Sequence, residues 1–442
     1  MINILEVREF DCITGNPDYA ADERYRYLPE PAFSELITFI HDFTGDDMHS
    51  DALELMKISY KRNIGNVVTM SNYVGIIQLK SGYQIQVLPK IAFKTGEQDK
   101  TKQIFIKMLR SMRDFPSKML GHDNLLVDDM NLYEIFISMY IEAVSALVKH
   151  GLKSGYVPKE ENERSFKGKL LVKENIKKNS CHKERFFVSY DEYQLNRSEN
   201  KLIKSTLLKL QKMSSNMQNV KQIRQLLTAF ELVEPSSQYE ADFAKCVTDR
   251  TTAEYDVILK WSKVFLTNKS FTSFSGNTSA RALLFPMEKV FESYVAQKIS
   301  RSFNPEGFEV STQDSGYYLF DAPQKFKLRP DIVLRSGSGL TTIMDTKWKR
   351  LFDNPSKNYG ISQSDMYQMY AYAKKYSTTE HIPEIWLLYP ANDEMQNKNE
   401  LRFDSEDGVH VRLFFVDLVN IDVSLELLLN NIKNQSSSSV IL

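Results

Sequence analysis

Two aspartates and one lysine stand close together in a pattern that suits metal-dependent hydrolysis. Asp331 follows Pro330 at the start of a β-favouring run, and Asp345 and Lys347 lie two residues apart in a second such run. Mg²⁺ prefers carboxylate oxygens and water as ligands, so Asp331 and Asp345 are candidate metal ligands, with Mn²⁺ as a possible substitute. Lys347 supplies a cationic point charge that can hold and polarise the attacking water. The set predicts hydrolysis of a phosphodiester.

The two β-favouring runs flank the Ser-Gly-Ser-Gly segment 336–339, which predicts a β-hairpin. The period of two along a strand places Asp345 and Lys347 on one face. Pairing across a four-residue loop would set Asp331 opposite Met344 and turn it away from Asp345. We therefore expect an odd loop or a β-bulge, which brings both carboxylates to the same side. The alternative is a surface hairpin whose charged residues are simply solvated.

Two flanking helices carry further candidates. Glu292 lies on an apolar-striped helix before the hairpin, where an acid could reach the metal water or a second metal, or could be a solvated glutamate. Gln368 and Tyr372 lie four apart on a later helix, so they share a face and can hydrogen-bond to phosphates or near the lysine. The alternative for this helix is an aromatic-rich core element.

The elements that must position these residues predict an α+β multidomain fold. Residues 1–93 read as a small β-rich domain, residues 94–265 as a helical middle, and residues 266–442 as an α/β domain with a mixed central sheet. Helices are predicted over Phe33–Phe43, Asn131–Lys149, Lys201–Met213, Val220–Leu232 and Ala280–Ser300.

Composition restricts the function classes. The chain has 442 residues and a net charge of -1, so its overall charge does not indicate nucleic-acid binding. Contact with double-stranded DNA must come from local basic patches. Lys169, Lys173 and Lys177 lie four apart and would form one basic stripe if helical, either a DNA-tracking surface or a solvated face. Three scattered cysteines, no signal peptide and no long apolar run predict the cytoplasm and no membrane contact.

The order of these motifs resembles the PD-(D/E)xK nuclease superfamily in its McrC branch, as found in McrBC and LlaJI-type restriction systems. The order is a helix with Glu, a P-D hairpin, D-x-K, and a Q-x-x-x-Y helix. The resemblance extends over most of the chain, through Asn72–Ile77, Val87–Ile91, Gly151–Tyr156, Phe166–Leu170 and Tyr190–Asn200. Where many relatives have an arginine before the glycine, this chain has Lys167.

The resemblance implies the nuclease subunit of a two-component, GTP-dependent restriction system. It implies metal ligation by Asp331 and Asp345, a catalytic Lys347, support from Gln368 and Tyr372, and a less secure match at Glu292. It also implies that residues 1–93 dock on a McrB-like AAA+ GTPase hexamer and stimulate it. The sequence holds no G-x-x-x-x-G-K-[ST], so we expect no nucleotide bound by this chain alone. The alternatives are a stand-alone repair nuclease and a non-catalytic activator of an AAA+ ring.

Overall fold

The structure is a computed structural model. It describes residues 3–45, 56–90, 100–112, 130–246, 253–267, 280–337, 339–379, 381–395 and 401–438. The described residues fall into two compact units: those between 1 and 112 and between 280 and 438 form the first, and those between 130 and 267 form the second. The three-domain division 1–93, 94–265 and 266–442 stays a prediction.

The strands are β1 (Ile4–Arg8), β2 (Cys12–Thr14), β3 (Tyr25–Tyr27), β4 (Met56–Lys61), β5 (Gly65–Met70), β6 (Tyr73–Leu79), β7 (Gln84–Leu88), β8 (Gly155–Glu163), β9 (Lys169–Leu170), β10 (Phe186–Gln194), β11 (Ala280–Pro286), β12 (Phe308–Thr312), β13 (Tyr318–Asp321), β14 (Gln324–Lys327), β15 (Ile332–Ser336), β16 (Thr341–Thr346), β17 (Glu384–Pro390), β18 (Arg402–Asp404) and β19 (His410–Val416). The helices are α1 (Glu30–Gly45), α2 (Lys100–Leu109), α3 (Leu132–His150), α4 (Val172–Asn179), α5 (Ser198–Met213), α6 (Met217–Ala229), α7 (Tyr239–Lys245), α8 (Ala253–Thr267), α9 (Met287–Phe303), α10 (Gln363–Lys375) and α11 (Ile421–Ser438).

The amino-terminal part of the first unit contains two four-stranded sheets, ordered β3-β2-β5-β4 and β1-β7-β6-β11. Apolar side chains from both sheets and from α1 form one core. The strand β11 follows the second unit in the sequence and pairs antiparallel with β6. Gly75 permits this pairing, because a Cβ there would lie 1.9 Å from the carbonyl oxygen of Leu283. Strands separated by about 200 residues in the sequence therefore contribute to one sheet.

The strand β11 corrects the expectation of a single helix over Ala280–Ser300, since α9 begins only at Met287. Two features of the sequence explain the difference. Pro286 disfavours helical backbone in the residue before it, and the apolar run from Ala282 to Phe285 suits a buried strand. The apolar stripe expected on the helix is buried on α9 as predicted.

The carboxyl-terminal part of the first unit contains a six-stranded sheet in the order β12-β15-β16-β17-β19-β18. β16, β17 and β19 run parallel to one another, and the outer pairs are antiparallel, so the sheet is mixed. The central strand β17 is a continuous apolar run, as a strand covered on both faces requires. The helix α10 packs its buried residues, Met369, Tyr372 and Ala373, into the core of this sheet.

The second unit contains α3 to α8 and a three-stranded sheet ordered β8-β10-β9. The sheet corrects the expectation of an entirely helical middle. Its strand β8 reads Gly-Tyr-Val-Pro-Lys-Glu-Glu-Asn-Glu, too polar for a period-two pattern, yet all nine of its residues pair antiparallel with β10. In the helices, the buried carboxylate of Glu134 accepts hydrogen bonds from Ser214 Oγ and the Ser215 amide, each at 2.7 Å. Among the described helices, none combines the length and apolar character that a membrane crossing needs.

Candidate active site

The pairing of β15 with β16 places the two candidate ligands opposite each other. Ile332 lies across from Met344. At the turn, the Ser336 backbone amide donates a hydrogen bond to the Leu340 carbonyl at 3.0 Å. The same register continued by one residue sets Asp331 across from Asp345. The connection between the paired positions 336 and 340 has an odd length, so the expected odd loop is confirmed. Both carboxylates are brought to one end of the hairpin.

The carboxylate of Asp331 is fixed by Thr346. The Thr346 amide donates to Asp331 Oδ2 at 2.8 Å, and the Thr346 hydroxyl donates to the same oxygen at 2.7 Å. Burial raises the pKa of Asp331 above its usual value, while these two bonds act in the opposite direction. The role of Thr346, which lies between Asp345 and Lys347 in the sequence, was not predicted from the sequence.

The carboxylate of Asp345 is almost fully buried, with 1% of the residue exposed. Its Oδ2 atom accepts no hydrogen bond of good geometry among the described residues, although Lys347 Nζ lies 2.6 Å away. Burial and, to a smaller extent, the negative charge of Asp331 raise the pKa of Asp345 to about 7. The buried Asp345 and the partly buried Asp331 face one cation and carry excess negative charge, which a proton or a metal ion would neutralise.

Lys347 continues β16 by one residue, because its amide donates to the Leu388 carbonyl at 2.9 Å. Its ammonium donates to Gln368 Oε1 at 3.1 Å, and Gln368 Nε2 donates to the Tyr372 hydroxyl at 2.7 Å. Burial works against the charged amine, but the Asp345 carboxylate outweighs it and the pKa of Lys347 is raised. The structure therefore brings Gln368 and Tyr372 to the lysine, on the helix face that sequence spacing indicated.

Glu292 lies on α9 at the edge of the same cluster. Its Oε1 atom accepts a hydrogen bond from Gln313 Nε2, and the Gln313 amide donates to the Asp331 carbonyl at 2.9 Å. Burial raises the pKa of Glu292 to about 7, and the charge of Asp331 adds to the shift. Gln313 had not been singled out from the sequence. It ties Glu292 to the backbone at Asp331.

The donor set suits an ion that takes few protein ligands. Among the described residues, no group of three or more His, Cys, Asp or Glu side chains converges closely enough to hold a metal ion. Mg²⁺ is commonly held by one or two carboxylates and several waters, whereas Zn²⁺ and Ca²⁺ require more protein ligands. The Asp345 Oδ2 atom, buried and without an aligned donor, is the oxygen in this structure that a cation would satisfy.

The three lysines proposed as one basic stripe are not on one helix. Lys169 lies in β9, whereas Lys173 and Lys177 lie on α4, which begins at Val172. The reason is local: Lys169 and Leu170 pair with Ser189 and Val188 of β10, so the helix cannot begin earlier. All three lysines are exposed. Their role in DNA binding stays a prediction.

Comparisons with known proteins place the chain in a restriction context. A family model described as the McrBC 5-methylcytosine restriction system component matches residues 68–390. No curated protein matches the chain.

Two solved structures from Thermococcus gammatolerans are similar to the chain. One is described as a half-complex from a tetradecameric assembly of McrB AAA+ hexamers with bound McrC. It matches with a TM-score of 0.68 and 19% identity, over 97% of this chain and 100% of that chain. The other, described as a McrBC complex, matches with a TM-score of 0.44 and 20% identity, over 68% of this chain and 88% of that chain. At this identity the first match shows the fold alone.

These comparisons correct three expectations: the McrC branch, the PD-(D/E)xK nuclease class of the carboxyl-terminal domain, and the function of nuclease subunit of a GTP-dependent system. The matched family model describes a component of the McrBC system without singling out the McrC branch. The description of the similar structure is headed by McrB AAA+ hexamers, with McrC as the bound component. What the comparisons support is the McrBC restriction system.

Proposed function

Because the chain belongs to the family of McrBC 5-methylcytosine restriction system components, we propose that Asp331, Asp345 and Lys347 form a Mg²⁺-dependent site that hydrolyses a phosphate ester. The observation that carries the proposal is the convergence of a buried carboxylate, a partly buried carboxylate and one ammonium at the end of a single hairpin. Such a set gives a phosphate-bound cation its ligands and gives a water its positive neighbour.

The two carboxylates would hold the cation. Asp345 Oδ2 offers a buried oxygen without an aligned donor, and Asp331 keeps Oδ1 for a ligand because Thr346 binds Oδ2. When bound, Mg²⁺, or Mn²⁺ in its place, supplies charge to the scissile phosphate and orients a water. The two carboxylates suit a divalent cation because together they carry more negative charge than Lys347 neutralises.

Lys347 holds its proton throughout the neutral pH range, because its pKa is raised by the neighbouring carboxylates. Its ammonium can donate to a water or to a phosphate oxygen while Gln368 Oε1 restricts its position. Glu292, whose pKa burial raises to about 7, can accept a proton at Oε2 under the same conditions. The chain thus offers a fixed cation and a carboxylate poised near neutral pH.

The experiment is cleavage of supercoiled plasmid by the purified chain, with Mg²⁺ or with EDTA, alone and with its McrBC partner and GTP. Asp345→Asn should abolish Mg²⁺-dependent cleavage, because the pair loses one charge and one ligand. Asp18→Asn, a change of the same kind at an exposed position, should cleave as the unmodified chain does. Cleavage by Asp345→Asn at the unmodified rate would overturn the proposal.

A second candidate is hydrolysis of a nucleoside triphosphate, favoured by the AAA+ description of the similar structure. Against it, the sequence holds no G-x-x-x-x-G-K-[ST] to cradle phosphates. GTP hydrolysis by the isolated chain decides between the two. Turnover without a partner, unaffected by Asp345→Asn, would favour the second candidate over the first.

The partner is proposed to be another McrBC component. The similar assembly is described as McrB AAA+ hexamers with bound McrC, and a family member is expected to act within such a complex. Co-purification with a McrB-type AAA+ GTPase and, separately, with a McrC-type chain identifies which of the two it binds. Failure to bind either one would contradict this part of the proposal.

A further inference from the structure

A cavity of about 370 Å³ lies in the first unit, at the carboxyl ends of the parallel strands β16 and β17. Trp348 and Arg350 follow β16, and they line the cavity together with Glu9, Phe10, Asn72 and Lys90. Ligands of open α/β sheets bind outside the carboxyl ends of parallel strands. A volume of this size accommodates a ligand no larger than a nucleotide.

We propose that this cavity binds one nucleotide unit of a nucleic-acid strand, with its base against Phe10 and its phosphate between Lys90 and Arg350. The inference deepens the proposed function, on which it rests, because Trp348 directly follows Lys347 and the nucleotide would flank the bond to be cleaved. No comparison assigns a role to any of these residues.

Phe10 is the first observation that points to a ligand. It is 49% exposed, and its backbone has φ 68°, in the left-handed region that a bulky residue rarely adopts. Phe326 shares the exposure and the positive φ, but of these two phenylalanines Phe10 is the one that lines the cavity, where its ring offers a base a stacking face. Lys90 Nζ lies 5.6 Å from the ring centroid, so a stacked base would have a cation beside it.

The charge at the rim is the second observation. Lys90 is exposed, and the Arg350 side chain, 46% exposed, pairs with an equally exposed Glu394 at 2.7 Å. An ion pair this exposed contributes little to the stability of the fold. The Arg350 guanidinium can therefore leave the Glu394 carboxylate and bind a phosphate through two hydrogen bonds at low cost in free energy. The nearest buried acid, Glu9, already accepts bonds from Trp348 Nε1 at 3.0 Å and from the Lys90 amide at 2.8 Å.

The test measures binding rather than cleavage. A fluorescein-labelled single-stranded hexadeoxynucleotide is titrated in EDTA against full-length protein carrying Asp345→Asn, and anisotropy is recorded. Adding Phe10→Leu and Lys90→Ala should weaken binding about fivefold or more, because a stacked base and a phosphate contact are lost. The matched control adds Phe326→Leu and Lys80→Ala, since Phe326 is likewise an exposed phenylalanine with positive φ and Lys80 is an exposed lysine. Equal affinity of the two double variants would overturn the inference.

Photo-crosslinking supplies a second measurement without mutation. An oligonucleotide containing 5-iododeoxyuridine, irradiated with the unmodified chain, should attach to the peptide containing Phe10 or Trp348. Crosslinks confined to other peptides would also refute the inference. Both measurements omit the metal. If the cavity binds the oligonucleotide but the chain does not cleave, the catalytic assignment is wrong and the binding inference stands.

Discussion

The Thr346 amide and hydroxyl both donate to Asp331 Oδ2, at 2.8 and 2.7 Å. One residue of β16 therefore orients the carboxylate that precedes β15, across the hairpin. Asp345 and Lys347 flank Thr346 in the chain, so a single strand end fixes all three charged groups of the candidate site. The site depends on the register of one hairpin.

The Thr346 hydroxyl can be removed while the amide bond remains. We expect Thr346→Val to preserve folding, because valine favours strands, and to lower DNA cleavage about tenfold through a less restricted Asp331. Cleavage rates at saturating Mg²⁺ measure the effect. Thr341→Val, at the other end of β16, is the control and should keep the unmodified rate. Equal losses of cleavage rate in both variants would mean that the Thr346 hydroxyl contributes only to the stability of the strand and not to the position of Asp331.

Gln368 restricts the position of the Lys347 ammonium. Gln368→Ala should lower the cleavage rate while leaving the melting temperature nearly unchanged, because the side chain is only partly buried and its bonds are polar. Gln363→Ala, an exposed glutamine of the same helix, should leave the rate unchanged. A Gln368→Ala protein as active as the Gln363→Ala control would remove Gln368 from the site.

Stability should depend on pH through Glu9. Burial raises the pKa of Glu9 to about 7, against donation from Lys90 and Trp348, so the folded state favours the protonated acid. The resulting stabilisation is present below the unfolded pKa and is lost as pH rises through the folded one. The free energy of unfolding should thus fall by up to about 3 kcal/mol between pH 4.5 and 8, relative to Glu9→Gln. Urea unfolding of both proteins tests this, and parallel pH curves would refute it.

Metal affinity should rise with pH. A protonated Asp345 must lose its proton before it binds a cation, and burial raises its pKa to about 7. Titration calorimetry with Mg²⁺ should show affinity about tenfold weaker at pH 6 than at pH 8. The Thr341→Val protein serves as control and should follow the same curve. A pH-independent affinity would exclude Asp345 as a ligand that titrates in this range.

The local pattern of the sequence was sufficient for some features and not for others. The Asp-x-Lys spacing and the Gly/Ser turn placed Asp345 and Lys347 on one face, and a spacing of four placed Gln368 beside Tyr372. The pairing of β11 with β6 joins residues about 200 positions apart, and nothing local encodes it. The bond from Trp348 Nε1 to Glu9 has the same character. The polar strand β8 escaped detection because its stability comes from pairing with β10 rather than from an apolar face.

The most direct test of the account is binding of a divalent cation by the purified chain and by its Asp331→Asn and Asp345→Asn variants, followed by Mn²⁺ electron paramagnetic resonance. The account predicts one site in the unmodified chain that both variants lose while their circular dichroism stays unchanged. Unaltered Mn²⁺ binding in either variant would contradict it.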